Sequence, residues 1–366
     1  MIHRVRASIS FTALRHNLSV ARQFAGKRKL LAVIKANAYG HGLIPAAEAL
    51  ADADAYGVTE INEAEQLAAS EPGLPIVILQ GIIEESDIPR IAQGGFQVVV
   101  HREQDLHWLE NHLDKHPPAA PLTFWLKMNS GMGRLGIQPD KFIKAYHRLK
   151  KKSWCHEVIL MTHLASGNLL DAPLNWQQVE CFTEVTEEVS AATTSLPASS
   201  ALLAGMGANT TWVRPGIMLY GSSPFPYADT ERRREAFDLR AVMKLEARLI
   251  AIQDCKAGDN VGYCSQFICP RDMRIGIVSV GYADGYPSNA PNGTPVLVDG
   301  IRSVTTGRVS MDMIAIDLSS APSADLNSVV TLWGDELSLD EVAQHTGILS
   351  YNLTCSIAPR VERVYG

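Results

Sequence analysis

A lysine inside an apolar run is the first residue equipped for chemistry. The segment Ala32-Val-Ile-Lys35-Ala-Asn-Ala-Tyr39-Gly-His-Gly42 puts Lys35 at the C-terminal end of a predicted strand, the place where barrel enzymes build their sites. Burial there favours the neutral amine, which can form a Schiff base with a carbonyl. A strand-end lysine that snorkels to solvent would read the same way. A second segment, Leu126-Lys127-Met-Asn-Ser-Gly131-Met-Gly133-Arg134-Leu-Gly136, surrounds an arginine with glycines, so the backbone can approach a ligand closely while a forked cation is presented to it. Met161-Thr-His163-Leu-Ala and Trp212-Val-Arg214-Pro-Gly216-Ile217-Met-Leu-Tyr-Gly221 bring a histidine and another arginine to further strand ends. Each of these alone is compatible with a structural role, and their convergence on one end of the predicted strands points to a site. Later in the chain stand Asp259-Asn-Val-Gly-Tyr263, Val280-Gly-Tyr282-Ala-Asp-Gly285 and Gly307-Arg308-Val-Ser-Met311-Asp-Met. By themselves these read equally well as turn-packing tyrosines and an ordinary strand.

Up to about residue 220, short apolar runs alternate with segments of helical period, the pattern of a parallel sheet built from βα units. The predicted strands are Leu30 to Lys35, Ala55 to Thr59, Ile76 to Gln80, Gln97 to Val100, Leu122 to Met128, Glu157 to Thr162, Ala201 to Ala204 and Ile217 to Tyr220. Between them lie patterns such as Phe11, Leu14, Leu18, Ala21 and Ala25, stopped by Gly26. These units fit a (β/α)8 barrel of the TIM type, and a doubly wound open sheet shares the local pattern. A polar, charged stretch at 226–238 reads as a linker between a barrel at 1–225 and a mainly β domain at 239–366, with the first few residues free to pair with the latter. In that second part the period moves towards two. Ala241 to Ile252, Arg274 to Val280, Pro295 to Val298, Met313 to Leu318 and Val329 to Trp333 are predicted strands, with one helix near Leu339 to His345.

The chain of 366 residues, 46% hydrophobic and 20% charged, can bury a large core. With 33 basic against 39 acidic residues the formal charge is -6, which argues against a nucleic-acid backbone as partner. No signal-peptide pattern opens the sequence and no run reaches the length of a membrane span, so a cytoplasmic protein with no membrane partner is expected. The 6 cysteines lack metal spacing; they read as reduced thiols, mostly in the core, with no metal site.

Taken together, these ordered segments closely resemble alanine racemase, the fold-type III pyridoxal-phosphate enzyme family, and the resemblance runs from the N-terminus to the last few residues. It implies pyridoxal 5'-phosphate as cofactor, alanine as substrate, and a head-to-tail homodimer whose sites combine one subunit's barrel with the other's C-terminal domain. Lys35 resembles the Schiff-base lysine, and Tyr39, Ser199, Gly216 and Ile217 resemble the phosphate grip. Arg214 would bond the pyridine nitrogen, which leaves the ring a weaker electron sink and suppresses side reactions; His163 would orient Arg214. Arg134 would serve the cofactor's phenolic oxygen and the substrate. Lys127 matches a lysine often carbamylated in the family, holding the neighbouring arginine. From the partner subunit, Tyr263 resembles the second base and the Met311 backbone would meet the substrate carboxylate. Tyr282, Arg308 and Tyr351 resemble an access corridor. Pro359 stands where some members place a phosphate-contacting tyrosine, so that bond would be lost or taken by water.

Racemisation needs a base on each face of the substrate, and the resemblance gives the D-isomer's proton to Lys35 and the L-isomer's to Tyr263. A tyrosine is a poor base near neutrality, so the His163–Arg214 chain is expected to lower its pKa. The resemblance leaves open whether the reaction supplies D-alanine for peptidoglycan or consumes it. Two rival readings share parts of the pattern: a fold-type III amino-acid decarboxylase, which needs no counterpart of Tyr263, and a non-catalytic pyridoxal-phosphate carrier, which resembles the barrel alone.

Overall fold

The computed structural model describes residues 4–189 and 192–366. The chain opens with strand β1 (Val5–Ile9) and a helix, Phe11–Ala25, whose N-terminus is capped by the Ser10 hydroxyl accepting from the Ala13 N–H at 3.1 Å. The barrel follows as β2 (Lys29–Val33), β3 (Ala55–Val58), β4 (Ile76–Ile78), β5 (Gln97–Val100), β6 (Leu122–Lys127), β7 (Cys155–Met161), β8 (Thr193–Ala198) and β9 (Trp212–Arg214). Neighbouring strands are parallel, and β9 returns to β2 with Lys29 opposite Trp212 and Leu30 opposite Val213. That closure excludes the open doubly wound sheet. Leu30, Leu31, Val77, Val98, Phe124 and Leu126 are fully buried, as expected for strands covered on both faces.

Two predicted strands are corrected. Ala201 to Ala204 belongs mostly to a short helix, Ser199–Leu203, and the strand before it is Thr193–Ala198. The polar Thr193-Thr-Ser run with Pro197 hides that strand from a reading based on apolar runs. Ile217 to Tyr220 is a turn of 3-10 helix, and the closing strand is the three-residue Trp212–Arg214. The segment with Gly216 and Ile217 therefore follows the last strand, where barrel loops carry function.

The second part is built on a mostly antiparallel sheet in the order β13-β16-β15-β14-β17-β10-β1-β18, in which only the edge pair β1–β18 is parallel. Its strands are β10 (Met243–Cys255), β13 (Met273–Val278), β14 (Pro295–Val298), β15 (Ile301–Thr306), β16 (Ile314–Asp317), β17 (Val329–Trp333) and β18 (Glu362–Tyr365), with a small hairpin of β11 (Asn260–Val261) and β12 (Phe267–Ile268). The first half of β10 pairs with β1 and β17, and its second half with β13 beyond a bulge at Ile250, so the sheet curls back on itself. β15 and β18 were not among the predicted strands; polar Arg302, Ser303 and Glu362, Arg363 interrupt their apolar pattern. Helices Leu339–Thr346 and Ser350–Cys355 complete the chain.

The expectation that the cysteines are mostly core is also corrected: all six are free thiols, only Cys269 is buried, and Cys264 and Cys355 are exposed. Among the described residues no helix is long and apolar enough to cross a membrane.

Candidate active site

At the C-terminal end of the barrel strands lies a cavity of about 630 Å³. It gathers Lys35, Tyr39, Lys127, Arg134, His163, Ser199, Arg214, Gly216, Ile217 and Tyr351. No aspartate or glutamate lines it among the described residues, so its charge is set by lysine and arginine.

Lys35 sits just past β2, at the start of a turn whose next residues, Ala36, Asn37, Ala38 and Tyr39, all have left-handed φ of 53, 54, 53 and 52°. For L-residues that conformation costs roughly 1–2 kcal/mol each, so the surroundings must hold it. The Asn37 side chain accepts from the Leu43 N–H at 2.8 Å, and the Asn37 N–H donates to Glu63 at 3.1 Å. Gly40, at φ 84°, lets the turn press against the backbone of Thr354, which a Cβ would strike. The Tyr39 ring stacks on Tyr220 at 4.7 Å and lies 6.0 Å from the Tyr351 ring. Tyr220 in turn donates to the Val33 carbonyl at 3.0 Å, fixing the end of β2.

Opposite, Arg214 ends β9 and is only 4% exposed. Its guanidinium donates to the Ser195 hydroxyl, to the Thr162 carbonyl at 2.7 Å and to the Leu196 carbonyl at 3.2 Å, and meets His163 Nδ1 at 3.5 Å. Burial lowers its pKa to about 10, still leaving it a cation at neutral pH. Burial, reinforced by Arg214 and Lys127, holds His163 down to about 3, so its imidazole is neutral. Lys127 ends β6; burial first, then Arg214, Arg134 and Lys35, lower its pKa to about 8. Lys35 is lowered by burial and then by Arg134. Arg134 reaches the cavity because its loop folds back: Asn129 Oδ1 accepts from the Gly133 N–H at 2.9 Å, and Gly136 presses on the Asn129 backbone.

The Gly216–Met218 segment converges on the Ser199 hydroxyl, which accepts from the Gly216 N–H at 2.9 Å and the Met218 N–H at 3.4 Å. A Cβ at Gly216 would stand 2.6 Å from the Tyr39 hydroxyl, so the glycine lets that hydroxyl come close. The result is a hydroxyl-and-amide end suited to an anion, facing a cationic remainder.

Tyr263, Tyr282, Arg308 and Met311 do not line this cavity. They cluster on the β domain: the Gly262 position faces Arg308, Arg308 points to Cys264 at 3.8 Å, and the Tyr282 N–H donates to the Ser310 carbonyl at 3.1 Å. Tyr263, Met311 and Tyr282 are 67%, 54% and 44% exposed. The His163–Arg214 pair lies inside the cavity. Within one chain the pair does not adjoin Tyr263, and the neutral His163 brings no charge. Pro359 is likewise exposed and away from the cavity, whereas Tyr351, assigned to the corridor, shares the cavity with Tyr39. Burial raises the pKa of the Tyr351 hydroxyl to about 12.

Sequence reasoning passed over Cys355, which lines the cavity near Lys35, and the supports Thr162, Ser195 and Tyr220. Thr162 and Tyr220 stood inside quoted segments; Ser195 lay in the strand that was not recognised.

Comparison with known proteins adds a consistent identification. Residues 9–224 match the family model of the alanine racemase N-terminal domain and residues 242–365 that of the C-terminal domain. The catabolic alanine racemase of Pseudomonas putida is 44% identical over 361 residues, covering 98% of each chain; the alanine racemase of Aeromonas hydrophila is 40% identical, also over 98% of each. Among solved structures, the biosynthetic alanine racemase of Pseudomonas aeruginosa superposes with a TM-score of 0.94 at 39% identity, covering 100% of both chains. That of Bartonella henselae with covalently bound pyridoxal phosphate gives 0.89 at 26%, again over 100% of both.

Proposed function

The chain belongs to the alanine racemase family and interconverts L- and D-alanine, and from that premise we propose how its own residues do so. The decarboxylase and carrier readings are not favoured by relatives that match both domains.

The cavity fits pyridoxal 5'-phosphate. Its lining offers cations and hydroxyls without a carboxylate, and the glycine at 216 leaves the space that a methyl group would fill. Tyr39, Tyr351, Ser199 and the Gly216 and Ile217 amides would hold the phosphate, Arg214 the pyridine nitrogen, Arg134 the phenolic oxygen, and Lys35 Nζ the covalent link. When bound, the cofactor supplies delocalisation of the negative charge that develops at the substrate α-carbon. His163 acts on Arg214 as a neutral neighbour, completing a cage in which the guanidinium also meets Thr162, Ser195 and Leu196. Lys127, once carbamylated, becomes an anion amid Arg134, Arg214 and Lys35 and holds Arg134.

Lys35 Nζ exchanges the α-proton on one face, that of D-alanine. Burial and Arg134 favour its neutral amine and so its use as a base. The second face needs a base that this cavity does not contribute, and Tyr263 of a partner subunit is the candidate. The reading is supported by the separation of Tyr263, Tyr282 and Met311 from the cavity and by their exposure, since large apolar groups clustered at a surface mark an interface. A homodimer in which each β domain covers the other barrel brings Met311 to the substrate carboxylate and Arg308 and Tyr282 to the corridor.

The observation that carries the proposal is Lys35 set in an acid-free cationic cavity. Borohydride fixation followed by peptide mapping tests it: the pyridoxyl group is expected on Lys35, and a label on another lysine refutes the assignment. Mixing inactive Lys35→Ala with inactive Tyr263→Phe chains tests the sharing, because a mixed dimer contains one intact site. Mixed dimers that remain dead would refute it.

A further inference from the structure

His41 is fully buried behind the cavity. Its ring stacks on Tyr220 with centroids 4.6 Å apart, and Tyr220 stacks on Tyr39 from there. Nδ1 faces two consecutive carbonyls, Ala38 at 2.9 Å and Tyr39 at 3.0 Å. Facing two acceptors, Nδ1 must be the protonated nitrogen. Those carbonyls belong to the last residues of the left-handed run that begins after Lys35.

We propose that His41 is a positioning residue: its Nδ1–H clamps the two carbonyls and so holds the strained turn that presents Lys35 and Tyr39 to the cavity. Packing alone does not account for a histidine here. The buried Nε2 has no hydrogen-bond partner among the described residues, and a bare buried acceptor is unfavourable. A phenyl ring would stack on Tyr220 without that cost, so the feature that only the imidazole provides is the donor. Burial lowers its pKa to about 4, which keeps the ring neutral and Nε2 unprotonated at neutral pH.

The inference rests on the reading that Lys35 and Tyr39 bind the cofactor, and its test separates the two. His41→Phe keeps the ring and removes the donor, whereas His41→Asn removes the ring and keeps an N–H near the Nδ1 position. Each full-length chain is titrated with pyridoxal 5'-phosphate by absorbance, then reduced with borohydride and mapped. The loss of a buried hydrogen bond predicts cofactor affinity weaker by about tenfold or more in His41→Phe. His41→Asn should stay within about threefold of the parent, a rescue that a purely packing role would not give. Should the phenyl ring not fit, His41→Leu carries the same expectation as His41→Phe. Parental affinity in the donor-less variant, or equal losses in His41→Phe and His41→Asn, would overturn the clamp while leaving Lys35 labelled. A label on another lysine in the parent chain would overturn the site reading, and this assignment with it.

Discussion

At about pH 7.5 an ordinary lysine is neutral in roughly one molecule per thousand. Lys127, held to about 8 by burial and by Arg214, Arg134 and Lys35, is neutral in about a quarter, a gain of roughly 200-fold in the form that attacks carbon dioxide. The attack forms an N–C bond and converts the ammonium to a carbamate with release of two protons, one before the bond forms and one after. The same three cations that destabilise the ammonium stabilise the carbamate, so both ends of the reaction favour modification. Below about pH 8, at fixed dissolved carbon dioxide and away from saturation, the ratio of carbamate to ammonium should fall about 100-fold per pH unit, as expected for two protons. Carbon-13 NMR under labelled carbon dioxide at fixed partial pressure reads this directly as a carbonyl signal that Lys127→Ala abolishes. A signal unchanged in Lys127→Ala, or none in the parent chain at about pH 8 with saturating bicarbonate, would refute the electrostatic reasoning.

Two further perturbations probe the rest of the site. Tyr263→Phe removes one hydroxyl and leaves the cofactor link intact, so racemisation should fall by about 100- to 10,000-fold while the α-proton of D-alanine still exchanges in deuterated water; equal exchange rates for both enantiomers by NMR would remove Tyr263 from its role. Gly216→Ala puts a methyl 2.6 Å from the Tyr39 hydroxyl, and the overpacking should weaken cofactor binding by about tenfold or more in an absorbance titration. Unchanged affinity would show that the Tyr39–Gly216 contact is not part of the grip.

The first six barrel strands were legible because each is an apolar run between turn signals, such as Gln97–Val100. The seventh was not, because Thr193, Thr194 and Ser195 are polar and Ser195 serves Arg214 rather than the core. The eighth, Trp212–Arg214, has three residues and ends in a charged one, so it offers no apolar run. The cavity-lining residues stood out because strand ends bring them together within one chain. The left-handed turn after Lys35 was invisible to pattern reading, since Ala36 to Tyr39 contain no glycine to announce positive φ. The helix that brings Tyr351 to the cavity, Ser350–Cys355, spans only six residues and gives pattern reading little amphipathic signal.

Strand β1 lies between β10 and β18, with Arg6 opposite both Glu246 and Glu362. On the ribosome, β1 emerges first and its partners emerge long after the barrel has been made. Closing such a loop adds little thermodynamic cost, about 0.6 kcal/mol for each doubling in length, but it makes the pairing late. The turn bearing Lys35 shares that timetable: Arg363 of β18 donates to the Gly40 carbonyl at 3.0 Å, and the Tyr365 hydroxyl abuts Gly42. A nascent chain can therefore complete its barrel while the segment after Lys35 still lacks its outer brace.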